Sequence, residues 1–150
     1  MTLIGLVFTF CAFATGALIS LQAPINAEAA TRLGNPLAAA AMSFSVGTVA
    51  LIAMTLFVRQ DVNFAALKTM PLYMLLSGGL LGALYVTASL MLAPRIGVAA
   101  LIALGITGQL ATALLLDRLG VFGLVERDFS VGRVGGALVV VAGALMVRYL

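Results

Sequence analysis

The sequence predicts an all-α integral membrane protein with five transmembrane helices. Three observations carry that prediction: an apolar composition, five long apolar runs, and charges confined to the ends of those runs. Of the 150 residues, 63% are hydrophobic and 9% charged, with mean hydropathy +1.22. A soluble domain carries about 25% charged and about 45–50% apolar residues. A chain this apolar has too little polar surface to cover itself and needs lipid as solvent. Lipid offers no partner for backbone amides, so the spans are helices.

The first run, Leu3–Leu21, leads into "LQAPINAEAATRLGNP". Thr15, Ile19, Gln22 and Asn26 share one helical face by their i, i+3, i+4 and i+7 relations. The pattern predicts a helix continuing to about Leu33, kinked at Pro24, which has no amide for the carbonyl of Ser20. Gly34 ends it and Asn35-Pro36 starts the next helix. Glu28 and Arg32, at i and i+4, form an interfacial ion pair. Signal-peptide cleavage at Ala27-Glu28-Ala29 is not expected: "MTLIGL" has no Lys or Arg, and the apolar run exceeds the about 7–15 residues of an h-region.

The remaining spans are Leu37–Val58, Pro71–Leu92, Ile96–Leu116 and Val134–Leu150. A bilayer core takes about 20 apolar residues, with a range of about 17–25. The fifth is shorter, and Arg133 and Arg148 snorkel at its ends. Tyr73 and Tyr149 sit near span ends, where amphipathic rings prefer to lie. "RQDVNFAALKTM" (59–70) joins spans two and three. "APRIG" (93–97) joins three and four, with Pro94 stopping one helix and Gly97 permitting the turn. "DRLGVFGLVERDFSVGR" (117–133) is an interfacial link in which Asp117 meets Arg118 or another interfacial partner.

With the N-terminus on one side, that side holds Arg59, Lys68, Arg118, Arg127 and Arg133, five in all. The other holds Arg32, Arg95 and Arg148, three in all. The positive-inside rule favours the first side as cytoplasm by a narrow margin. Near-balance with an odd number of spans fits either one fixed topology or insertion in both senses; two inverted copies would reproduce the symmetry many transporters carry within one chain.

Polar groups inside the spans are the candidate binding groups. Gln22 and Asn26 lie on span one, Ser43 with Gly47 on span two, Gly78, Gly82, Tyr85 and Ser89 on span three, and Gly105, Gln109 and Thr112 on span four. An unpaired buried amide costs several kcal/mol in hydrocarbon, so Gln22, Asn26 and Gln109 are expected to face protein or a water-filled cavity. They either bond helices together, at about 0.6–2 kcal/mol per bond, or line a neutral, hydrogen-bonding cavity for a small polar solute. Gly132-x-x-x-Gly136, with Gly143, is a small-residue face that admits close helix approach, assigned here to a subunit contact. His is absent and Cys11 is a lone packing residue, so metal and disulfide frameworks are not expected. Neither a nucleotide fingerprint, a catalytic constellation nor a mid-span carboxylate is present; an enzyme, a cofactor and a central proton carrier are therefore not expected, which leaves Glu28 and Asp117 as acids that could act from a vestibule. The modest net charge of +3 reads as membrane flanking, not nucleic-acid binding.

"LQAPINAEAATRLGNPLAAAAMSFSVGT", "GGLLGALYVTASLMLAPRIGVAALIALGITGQLATALLLDRLG" and "GGALVVVAGALMV" resemble the five-helix, half-length branch of the drug/metabolite transporter superfamily, related to EamA-like domains. The resemblance covers nearly the whole chain; Leu21-Gln22-Ala23, Ile25-Asn26-Ala27, Ser43-Phe44, Leu84-Tyr85-Val86 and Gly108-Gln109-Leu110 are its specific parts. It implies a bacterial inner-membrane, multi-pass protein pairing as an antiparallel homodimer of ten helices, with a homologous five-helix subunit, or within a fused chain. The related small multidrug resistance proteins carry a carboxylate midway along their first helix. Phe13, Ala14 and Thr15 fill that region here, so proton–drug exchange is not carried over.

The sequence therefore predicts a membrane transporter working by alternating access. Gln22, Asn26, Ser43, Tyr85 and Gln109 line its substrate cavity, and Gly132, Gly136 and Gly143 hold the dimer. The alternative is a non-transporting scaffold or regulatory subunit whose polar groups only fix helix packing.

Overall fold

A computed structural model describes residues 2–58 and 62–150; Arg59, one of the residues counted for orientation, lies outside the described residues. Among these, five α-helices are long and apolar enough to cross a membrane, and no strand is present. They are α1 (Leu3–Leu33), α2 (Pro36–Val58), α3 (Leu72–Ile96), α4 (Val98–Leu119) and α5 (Val131–Tyr149). The chain forms two compact units, Met1–Pro94 and Arg95–Leu150.

In the first unit, the Thr2 hydroxyl caps α1 by accepting from the Gly5 amide at 3.2 Å. The helix continues through Pro24 and stops where Gly34 turns left-handed at φ 66. Glycine adopts that conformation without a Cβ penalty. Asn35 Oδ1 then accepts from the amides of Leu37 and Ala38 at 2.9 and 3.2 Å, and Pro36 opens α2. Proline suits a first helical position because its missing amide had no partner there.

Asn26 meets Ser43, and Ala30 packs with Ala39 and Ala40, so pairing runs in opposite senses along the two helices. Ala23, Ala30, Ala39 and Ala40 are buried. Small side chains at this seam let the backbones approach, which is how helices associate where lipid removes the hydrophobic drive between them. Leu90 of α3 completes the core, with Val86 against it. A 3-10 turn, Phe64–Lys68, lies in the link before α3.

Several boundaries differ from the sequence reading, and α4 runs on past Leu116 to Leu119. Pro94 does not stop the third helix: it lies inside α3, which continues to Ile96. The stop comes from Gly97, at φ 83 and ψ 151, which leaves one residue between α3 and α4. The fifth helix starts earlier, at Val131, because Ser130 caps it by accepting from the Arg133 amide at 3.2 Å. Cys11 is exposed on α1 and packs no core.

In the second unit, α4 packs against α5. Gly120 caps α4 at φ 57, and a 3-10 turn over Val121–Gly123 follows, with Phe122 left-handed at φ 58. The link is tied back to the end of α4. Arg118 reaches Glu126 at 2.6 Å and Asp128 at 3.2 Å, and the Arg127 amide donates to the Asp117 carbonyl at 2.8 Å. Asp117 takes Arg133 as its interfacial partner, not Arg118. At the far end of α5, the Arg148 guanidinium lies 5.4 Å from the centre of the Tyr149 ring.

Candidate functional site

The polar groups of the first unit gather around α1. Asn26 and Ser89 are the two buried polar side chains among the described residues. Asn26 Nδ2 donates to Ser43 Oγ at 3.2 Å, which satisfies a buried amide from inside the subunit. Ser89 Oγ donates to the Tyr85 carbonyl one turn back at 2.8 Å. Such back-bonding spends the hydroxyl proton within the helix and leaves oxygen lone pairs facing outward.

Two openings flank these groups. A narrow cleft between α1 and α3 is lined by Ile19, Gln22, Ala23, Asn26, Tyr85, Val86, Ser89 and Leu90, with a free volume of about 10 Å³. That is room for about one water, which needs polar partners to stay. A larger groove between α1 and α2, about 240 Å³, is lined by Gln22, Ser43, Phe44, Gly47, Thr48 and Leu51. Gln22 lines both openings. Its side chain is exposed and takes part in none of the side-chain hydrogen bonds among the described residues.

The structure thus brings together Gln22, Asn26, Ser43 and Tyr85 of the predicted site. Gln109 belongs to the second unit, on α4, and lines neither opening. Phe44, Thr48 and Leu51 line the groove without having been singled out for it. The signal was present: Phe44 and Thr48, like Gly47 and Leu51, stand at i and i+4 beside Ser43 on one side of α2. Thr48 Oγ1 donates to the Phe44 carbonyl at 2.8 Å, so its lone pairs are what it offers outward. Gly82 of α3 supports the ring of Phe44: a Cβ there would stand 3.3 Å from Phe44 Cζ.

The small-residue face of α5 is unoccupied in its own unit. Gly132, Gly136 and Gly143 are exposed, and a Cβ on any of them would meet nothing within 4 Å. The helix buries Ala144 and half-buries Arg133, Gly135, Ala137, Val140 and Val141 instead. The Glu28–Arg32 pair forms as its spacing predicts, at 2.7 Å, with both side chains largely exposed. Such a pair is worth about 0.3–0.5 kcal/mol.

Comparison with known proteins gives one positive finding. A family model described as "Putative inner membrane exporter, YdcZ" matches residues 7–146. No curated protein and no solved structure matches the chain. The matched stretch takes in the groove, the cleft and nearly all of the five helices. With five apolar spans and that coverage, the chain belongs to the YdcZ family of the drug/metabolite transporter type, and is a multi-pass transporter protein of the inner membrane.

Proposed function

We propose that two copies of this chain, inserted in opposite senses, form a carrier that moves a small polar or organic solute by alternating access. The α1–α2 groove of each copy would contribute the binding surface. One observation carries the reading: Gln22 presents an unpartnered amide from an apolar helix onto the wall of a groove of about 240 Å³. Against acyl chains that amide would cost several kcal/mol. A hydrated cavity that admits a solute removes the cost and gives the amide a task.

Asn26, Ser43 and Tyr85 line the same openings as Gln22, and Gln109 on α4 is the second amide proposed for the substrate path. The inverted pairing draws support from the flanking charges, five against three, and from the odd number of spans. Gly132, Gly136 and Gly143 would make the contact between copies. Rocking of the two inverted copies about a site near the midplane would expose it to each side in turn.

The scaffold reading has one observation in its favour, since the Asn26–Ser43 bond ties helices together within a subunit. Transport into proteoliposomes separates the two. Carrier function predicts protein-dependent flux that falls about tenfold in Gln22→Leu and in Gln109→Leu, the equivalent of one lost hydrogen bond. Unchanged flux in folded variants removes these residues from the site, and no flux in the parent protein supports the scaffold.

A further inference from the structure

We infer that the solute is small and electrically neutral, and that it presents both a hydrogen-bond donor and an acceptor beside an apolar flank. This rests on the carrier reading above and adds the chemistry of what is carried. The argument begins with charge. None of the residues lining the groove or the cleft is Asp, Glu, Lys or Arg. The charges of the first unit among the described residues lie elsewhere: Glu28 and Arg32 pair with each other near the end of α1, and Lys68 ends the 3-10 turn outside the spans.

The same holds for the rest of the chain. Arg95 is in the last turn of α3, Asp117 and Arg118 in the last turn of α4, Arg133 in the first turn of α5 and Arg148 in its last. Glu126, Arg127 and Asp128 lie in the link. A second copy would bring the same set, so in a homodimer the described residues add no charge to the lining of either opening. A charged solute entering that region would lose its water and meet no counter-charge, a penalty that grows steeply as the dielectric falls. A neutral solute meets groups that match it.

The pattern of those groups narrows the class. Gln22 offers an amide oxygen and two N–H donors, none of them engaged in the subunit. Ser43 accepts from Asn26 and keeps its own proton to donate. Thr48 has spent its proton on the Phe44 carbonyl and offers lone pairs alone. Donors and acceptors therefore share one groove, while Phe44 and Leu51 make its wall apolar.

The test needs no prior guess at the substrate. Proteoliposomes are loaded with a water-soluble metabolite extract of the expression host, and the compounds released are identified by mass and sorted by net charge at pH 7. The expected result is protein-dependent release confined to uncharged compounds, reduced about tenfold in Gln22→Leu and partly restored in Gln22→Asn. Size-exclusion profiles establish that the variants fold; if Gln22→Leu does not, the charge sorting of the parent protein still decides. Release of cationic or anionic compounds overturns the inference and leaves the carrier reading standing. Absence of any protein-dependent release overturns both.

Discussion

Asn26 and Gln22 are one turn apart on α1 and show how differently two amides can be treated. Asn26 is buried and its donor is met by Ser43. Interhelical hydrogen bonds of this kind are worth about 0.6 kcal/mol on average and up to about 1.7. A double-mutant cycle of Asn26→Ala and Ser43→Ala, followed by thermal unfolding in detergent, is expected to return a coupling energy in that range; a value near zero would mean that the bond contributes nothing. Asp117 and Arg133 form the corresponding tie in the second unit, with side chains about one-third exposed (30% and 32%). Arg133→Ala is expected to destabilise by about 1 kcal/mol, and the double variant with Asp117→Ala to cost little more than either alone. Sequence alone predicts that Gln22, Asn26 and Gln109 belong off the lipid, because unpaired amides are costly there. It did not show that Asn26 would be satisfied by Ser43 and Gln22 left free. That division depends on the register of α1 against α2, which small alanines set through close contact and which no periodicity reveals.

Helix boundaries followed from a few residues at element ends. Gly34, Asn35 and Pro36 acted together as a stop, a cap and a start, each for a local reason visible in the sequence. Pro94 misled because proline removes one helical hydrogen bond without ending a helix whose neighbouring turns hold. The effective stop was Gly97, whose φ 83 and ψ 151 lie in territory that is essentially glycine-only. Gly97→Ala is therefore expected to cost about 1–3 kcal/mol and lower the yield of folded protein. Gly34→Asn, at a left-handed position that asparagine tolerates, is expected to cost less; equal losses in a thermal-shift measurement would contradict this. On α3, Gly82 sets where the ring of Phe44 sits. Gly82→Val is expected to push that ring toward the groove and reduce flux more than it reduces thermal stability, read from the two assays side by side.

At the scale of the molecule, the apolar spans and the family were legible from composition and motif, because hydropathy is a bulk property and the matched residues run through nearly the whole chain. Assembly was not, since it depends on surfaces that a single chain leaves uncovered. None of residues 3–22 is buried, and the face of α5 at Gly132, Gly136 and Gly143 is open. If that face joins two copies, Gly136→Leu is expected to lower the dimer fraction measured by light scattering in mild detergent. Insertion in both senses predicts that a cysteine replacing Asp128, in a Cys11→Ala background, reacts with an impermeant label from both sides of the membrane; labelling from one side alone would fix a single orientation. Finally, α3 and α4 meet across Gly97 alone. The chain therefore passes from one span to the next through the two torsion angles of a single side-chain-free residue, which leaves no slack at that turn for an inserted residue.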